Sequence, residues 1–344
     1  MGKPEIVLAV FSVVLSLVSL DFILRSVLPP VYQQTPYGWS VKENTEEKAR
    51  IEDSPGHFRN ITVKYYRHGF KRWGDVQTEK KKIFIIGDSF TQMNWVSNGE
   101  EWYSSLEKEF DDVELFVFGG GGYGSLQEFM ILDDYFDVID PDLILWQFCG
   151  NDYWNNLYEL DRSMYPFNNH FVRPYLENGG VVYRLPLPLS TLRNYSFTAD
   201  RVLSLYDRYR SRQIYKDLDN YVRKRKISKQ RASNAEKERE RRLEREAYSV
   251  THTILGKVKK RVGDVPVYMI NASGEWSEQE QKLCDENKLI CIKNVVGPIY
   301  LKSQQGYEIK VVNNGHWNRL GNELVGQELV NKIKSENQGQ TPIY

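Results

Sequence analysis

The chain has 344 residues, enough for one large domain with appendages or two modest ones, and for a substantial buried core. Lys plus Arg and Asp plus Glu balance at 46 each, which excludes the basic signature of a nucleic-acid binder as well as an acidic tail. Three cysteines, Cys149, Cys284 and Cys291, are too few and too spread for a disulfide framework or a zinc cluster; a Cys284–Cys291 bridge is conceivable, but two buried thiols near a strand are the commoner arrangement and the expected one.

The N-terminus departs from a soluble pattern. Ile6 to Leu20 carries no charge, and Phe22-Ile23-Leu24 resumes the apolar run between Asp21 and Arg25, giving about the roughly 20 residues a helix needs to cross a bilayer. No small-x-small cleavage site follows, and Ser26-Val27-Leu28-Pro29-Pro30 ends the helix, so residues 1–30 read as an uncleaved anchor in preference to a signal peptide. Lys3 precedes the span while Asp21 and Arg25 stand at its far end, so the positive-inside rule leans toward a cytoplasmic N-terminus and an extracytoplasmic (periplasmic or extracellular) remainder. Ile6 occupies the place where a myristoylation signal needs Ser or Thr.

Residues 31–81 lack helical periodicity and read as an extended connector that wraps onto the domain and tethers it. From Lys82 a β-then-α alternation begins. Ile83–Ile86 is a strand, Trp102–Phe110 a helical stretch, Val113–Phe118 a second strand running into Gly119–Gly122, Ser125–Tyr135 a helix, and Asp142–Phe148 a third strand. Such alternation specifies a parallel sheet with helices on both faces, and functional residues on the loops after the strands' carboxyl ends.

Residues 153–260 interrupt the pattern. Asn178-Gly179-Gly180 between two apolar runs signals a hairpin in an aromatic-rich segment, 153–206. The charged stretch Tyr206–Glu246, with Arg223-Lys224-Arg225-Lys226 and Glu236–Arg242, reads first as a solvated helix and second as a basic contact to anionic lipid or polymer. The alternation returns with strand Val265–Ile270, helix Ser277–Asn287 and strand Leu289–Ile292. A final helix follows Asn314-Gly315-His316-Trp317-Asn318, with Leu320, Leu324, Leu329 and Ile333 on one side. Residues 336–344 form a tail.

Four residues fall on the expected functional edge. Ser89 stands where a strand turns into a helix, so its hydroxyl can attack and its own N–H can face the resulting oxyanion. Gly122 lets backbone approach a substrate, Asn151 offers an amide donor, and His316 can serve as base. A Ser at a turn, a glycine turn, a helix-capping Asn and a surface His each have an ordinary explanation; their joint placement after successive strands does not. Gly119–Gly124 is no dinucleotide loop, because the following strand ends in Gln147-Phe148 and lacks the acidic residue. His57, His68, His170 and His252 are scattered without metal-ligand spacing.

The blocks Gly87-Asp88-Ser89-Phe90, Gly119–Glu128, Cys149-Gly150-Asn151-Asp152 and Gly315-His316-Trp317-Asn318, in this order, resemble those of the SGNH (GDSL) hydrolases, especially the membrane-anchored bacterial members. Gly69-Phe70-Lys71 is similar to a Gly-Phe-Arg segment that precedes the first block there. The resemblance covers about residues 60–335. It implies a three-layer α/β/α flavodoxin-like fold with about five parallel strands in an 82–335 domain, behind an N-terminal transmembrane helix. It also implies an ester hydrolase needing no metal or organic cofactor. Ser89 would be the nucleophile and His316 the base, and Ser89 N–H, Gly122 N–H and the Asn151 amide would form the oxyanion hole.

Two positions depart from that pattern. The family carries an acidic residue two or three positions before the histidine; here both, Asn313 and Asn314, are asparagine. An amide can hold the ring but cannot stabilise an imidazolium, and the equivalent exchange in a serine protease costs about 10⁴ in turnover. That leaves open a Ser–His dyad at reduced rate, a carboxylate borrowed from elsewhere, a silent descendant that binds, or a deliberate substitution. Cys149 replaces a glycine, a milder change. The first expectation is an esterase removing O-acyl (O-acetyl) groups from a cell-surface or secreted polysaccharide, with the aromatic insertion stacking on sugars. The alternatives are a glycan-binding or scaffold protein and an O-acyltransferase.

Overall fold

The computed structural model describes residues 3–27, 31–163, 171–185, 189–217 and 233–337. His170, Pro29-Pro30, Arg223–Lys226 and the tail beyond Asn337 lie outside the described residues. Helix α1 (Lys3–Val27) is exposed along nearly its whole length, and among the described residues it is the one helix long and apolar enough to cross a membrane. Its last turns meet the domain where Asp21 accepts from the Thr198 N–H at 2.8 Å and from the Ser196 hydroxyl at 3.1 Å.

The stretch expected to be an extended connector is instead largely β-structure. Strands β1 (Tyr32–Thr35) and β2 (Gly38–Val41) form one antiparallel hairpin, and β3 (Glu46–Ser54) and β4 (His57–Lys64) another. Trp39, Ile61, Val63 and Tyr65 are buried, so the segment adds to the core beyond tethering the domain. Strand β5 (Arg72–Trp73) then joins the edge of the main sheet antiparallel to its neighbour.

The main sheet holds the expected alternation. In chain order come β6 (Lys81–Gly87), the short α2 (Ser89–Gln92), α3 (Ser104–Glu109), β7 (Val113–Gly119), α4 (Ser125–Ile139) and β8 (Leu143–Phe148). Next are α5 (Asp152–Asn155), α6 (Tyr158–Ser163), the hairpin β9 (Arg173–Glu177) and β10 (Gly180–Arg184), α7 (Ser190–Tyr195), α8 (Phe197–Lys216) and α9 (Asn234–Val262). The chain finishes with β11 (Val267–Asn271), α10 (Glu278–Asn287), β12 (Ile290–Cys291), α11 (Gly297–Gln304) and α12 (Arg319–Asn337). The six strands run β12-β11-β8-β6-β7-β5, five parallel and β5 antiparallel.

Side-chain alternation along the strands splits the core into two layers. Ile83, Ile85, Leu115, Val117, Leu143 and Leu145 face one side, with Leu106 of α3 and Val325, Leu329 and Ile333 of α12. Phe84, Ile86, Phe116, Phe118, Ile144 and Trp146 face the other, with Ile131 and Leu132 of α4, Leu255 and Val258 of α9 and Leu283 of α10. This is the three-layer α/β/α arrangement, its central strands apolar on both faces because both are covered.

Three details differ from expectation. Leu320 is exposed, and the buried apolar residues of α12 begin at Val325. Cys284 and Cys291 are joined in a disulfide where two thiols were expected, because the left-handed Lys288 turns the chain back and brings the two Cα atoms to 6.0 Å, within bridging range. The insertion's aromatics divide: Tyr153 packs on Phe148 and Tyr175 and Phe197 are buried, whereas Trp154, Tyr183, Tyr195 and Tyr206 are exposed. The hairpin at Asn178-Gly179 forms as its turn residues require, both with positive φ.

Candidate active site

The sheet's strand order reverses between β6 and β8, which is where an open α/β sheet leaves a crevice at its carboxyl edge. Registers of Gly87 with Gly119 and of Gly87 with Gln147 make the three central strands end level, so their following loops emerge side by side. Asp88 then caps α2, accepting from the Phe90 N–H at 2.9 Å, and Ser89 is the first residue of that helix. Gly119 is required at the end of β7, since a Cβ there would lie 2.1 Å from the Gln92 backbone nitrogen. Gln147 ties the edge together by accepting from the Asp88 N–H at 3.1 Å and from the Thr91 hydroxyl at 3.0 Å.

His316 reaches Ser89 from the far end of the chain. Lys310 bridges Trp317, Val311 N–H donates to the His316 carbonyl at 2.9 Å, and Asn314 N–H donates to the Val311 carbonyl at 3.2 Å, closing a tight loop. Asn313 and Gly315 take positive φ within it. Asn318 terminates the loop by accepting from the Gly321 N–H at the start of α12. The imidazole thereby stands with Nε2 2.7 Å from Ser89 Oγ. Phe90 and Trp95 flank the ring, at centroid separations of 4.8 Å and 6.0 Å.

Of the two asparagines, Asn314 meets the ring. Its Oδ1 hydrogen-bonds His316 Nδ1 and accepts from the His316 backbone N–H at 3.3 Å. The backbone contact fixes the tautomer: an N–H needs an acceptor, so the amide presents oxygen, Nδ1 carries the proton, and Nε2 is left as the acceptor for the serine hydroxyl. A neutral partner gives the imidazolium no counter-charge. Burial, and then the charge of Lys310, push the His316 pKa down to about 4.

The loops after β7 and β8 complete this edge. Among the described residues neither Ser89 N–H nor Gly122 N–H donates to a protein acceptor, and Gly122 adopts φ +77°, open to glycine and strained for any other residue. Asn151 directs one Nδ2 hydrogen to Asn155 Oδ1 at 2.9 Å, and the amide carries a second. Cys149, at the start of this loop, is buried with its sulfur 3.3 Å from Ser273 Oγ, and Asp152 Oδ2 accepts from the Cys149 N–H at 3.0 Å. The unusual cysteine is thus accommodated without disrupting the turn.

Beneath these groups lie three buried carboxyls, Asp88, Glu128 and Asp152. Burial raises all three, Asp88 to about 6, and their mutual proximity raises Glu128 and Asp152 further. Sequence reasoning singled out none of this cluster, nor Trp95, nor the buried Arg173 that donates to the Gly122 carbonyl at 2.5 Å. Glu128 was visible only as the end of the glycine block, and Arg173 carried no local signal at all. The groups in hand can take a proton from a serine, bind an oxyanion and return the proton to a leaving group.

No family model and no curated protein matches the chain. Among solved structures it is similar to the psychrotrophic esterase EstA from Pseudoalteromonas sp., at 10% identity over 76% of this chain and 100% of that one with a TM-score of 0.41. It is likewise similar to the acetyl xylan esterase AlAXEase (14% identity, 73% and 98% of the two chains, TM-score 0.37). A third is a Clostridium thermocellum family 3 carbohydrate esterase (10% identity, 76% and 98%, TM-score 0.34). At such identities and TM-scores the likeness assigns no activity.

Proposed function

We propose that the chain is a serine esterase of SGNH type that removes O-acyl groups, O-acetyl foremost, from a carbohydrate polymer, and that α1 holds it at a membrane on the extracytoplasmic side. The observation that carries the reading is the 2.7 Å contact of Ser89 Oγ with His316 Nε2, in a loop whose Asn314 selects the tautomer able to accept the proton.

In the proposed reaction His316 Nε2 takes the Ser89 proton as Oγ bonds to the ester carbonyl carbon. The carbonyl π electrons move to oxygen, and the N–H groups of Ser89 and Gly122 with the Asn151 amide receive the oxyanion. Collapse breaks the bond to the alkoxy oxygen, which takes the proton from His316 and leaves as the sugar hydroxyl. Water repeats the sequence on the acyl-serine, releasing the carboxylic acid and restoring Ser89. The roles fall to Ser89, His316, Gly122 and Asn151, with water as the second nucleophile. The polymer reading rests on the family resemblance and on the membrane-length helix, which would keep the enzyme beside a surface glycan.

Asn314 gives a second reading its footing. Because an amide does not stabilise the imidazolium, a slow enzyme, a binding protein, or an acyltransferase that passes the acyl group to a sugar hydroxyl all fit the same cleft. Turnover of p-nitrophenyl acetate and of acetylated xylan, by the full chain in detergent and by its Ser89→Ala variant, separates these. Acetate release abolished by the substitution supports the esterase. Acyl transfer to an added oligosaccharide without net release supports the transferase, and glycan binding with no turnover supports the binding protein.

A further inference from the structure

Gly122 and Asn151 leave different strands, yet one buried polar chain joins them. Asn151 Nδ2 donates to Asn155 Oδ1 at 2.9 Å, and Asn155 Nδ2 donates to Asp161 Oδ1 at 2.7 Å. The other Asp161 oxygen accepts from the Tyr175 hydroxyl at 2.6 Å and lies 3.4 Å from Arg173 Nε. The Arg173 guanidinium, 4.9 Å from the Trp39 ring centroid, closes the circuit on the Gly122 carbonyl at 2.5 Å. Arg173 and Asp161 are both fully buried.

We infer that Arg173 and Asp161 are positioning residues for the oxyanion hole: the pair anchors the Gly122 carbonyl, which fixes the torsions that aim the Gly122 N–H, and orients the Asn151 amide through Asn155, so that both donors are held toward Ser89. A buried ion pair is a costly way to stabilise a fold, since apolar replacements often serve as well or better. This one sits where its geometry is read out by two donors at once. Glycine at φ +77° has wide freedom in ψ, the torsion that turns its carbonyl, and the guanidinium N–H on that carbonyl, beside Asp161, restricts it. The hairpin carrying Arg173 and the helix carrying Asp161 come from the insertion after β8, so the insertion gains a role in tuning the cleft.

This rests on the esterase reading, and the test separates the two. Removing one partner would strand a buried charge and endanger folding, so the informative variant is Arg173→Met with Asp161→Asn, in which the amide oxygen can still accept from Asn155 while its NH2 donates to the Tyr175 hydroxyl oxygen. Arg173→Lys is the conservative companion. In the full chain we expect the double variant to melt within a few degrees of the parent while kcat on p-nitrophenyl acetate falls about 10²-fold with KM changed less than about 3-fold, as for loss of an oxyanion donor. Arg173→Lys should recover part of kcat. Amide hydrogen exchange across 119–124 should quicken at least about 10-fold in the double variant with the β6 and β8 amides unchanged. A folded double variant with parental kcat and parental exchange in that loop overturns the inference. If the parent turns over no ester, the esterase reading fails, and the exchange rates still decide whether this pair positions the loop.

Discussion

Asn314 Oδ1 binds both the ring Nδ1 and the backbone N–H of His316, so a neutral amide holds the imidazole in the tautomer that a carboxylate would select. What the amide lacks is charge. Asn314→Asp should therefore leave the Ser89–His316 geometry in place and raise kcat by about 10² to 10⁴, the upper figure being the cost of the reverse change in a serine protease. Asn314→Leu should lower kcat about 10-fold or more by freeing the ring. Steady-state kinetics on p-nitrophenyl acetate check both; an aspartate variant no faster than its parent would show that the base is limited by something other than its partner.

The pH profile carries a sign. His316 has its pKa pushed to about 4 by burial and Lys310, below the 6.5 of a free imidazole, so it is a neutral base through the whole neutral range. The acid limb of kcat/KM should fall near pH 4, and Asn314→Asp should move it upward by at least about 1 unit. Stability follows the same linkage. Between about 4 and 6.5 the unfolded chain binds the proton that the folded histidine does not, so this residue makes stability rise with pH across that window. Thermal melts of the parent against His316→Gln over the window measure it.

Glu128 has the opposite sign. Burial first, and then Asp152 and Asp88, raise its pKa well above the ordinary carboxyl value of 4.5. The folded state thus retains a proton that the unfolded state loses above that value, and stability declines as pH rises from there toward the folded pKa. Glu128→Gln should melt close to the parent at pH 4 and above it at pH 8. A variant less stable at pH 8 would mean that the carboxylate is ionised and bonded in the fold.

Close packing of α2 on β7 gives a steric test. Gly119→Ala would thrust a methyl to 2.1 Å from the Gln92 backbone, so the helix that begins at Ser89 must move. The expected cost is about 1–3 kcal/mol in stability, with kcat lowered at least 10-fold because a small shift of a nucleophile is felt strongly. Denaturant melts and initial rates on the purified variant decide it.

If α1 spans a bilayer, alkaline carbonate should leave the intact chain in the membrane fraction; its release would mean that this exposed apolar helix is held some other way.

Much of this site is readable from the chain because its signals are local. Ser89, Gly122 and Asn151 each follow a strand whose apolar run is visible by itself, and parallel topology brings their loops to one edge. His316 was legible for a similar reason, lying just before a helix with periodic leucines. The supporting residues were not. Arg173 and Asp161 are paired through a hairpin whose packing no periodicity encodes, and Trp95 gains meaning only when the last loop folds over it. The two N-terminal hairpins escaped notice because β3 is almost wholly polar, with Ile51 its one buried residue, and β2 is buried along its whole length, so neither shows the period-2 pattern that marks a strand. The disulfide was hidden by a left-handed turn at Lys288, which sequence spacing does not reveal.

Activation of Ser89 by His316 can be read from covalent labelling with a fluorophosphonate. The expected outcome is a phosphonylated Ser89 peptide in the full chain by mass spectrometry, absent in Ser89→Ala, formed at least about 10²-fold more slowly in His316→Ala and faster in Asn314→Asp. Labelling that leaves Ser89 unmodified, or that proceeds equally fast without His316, would contradict it.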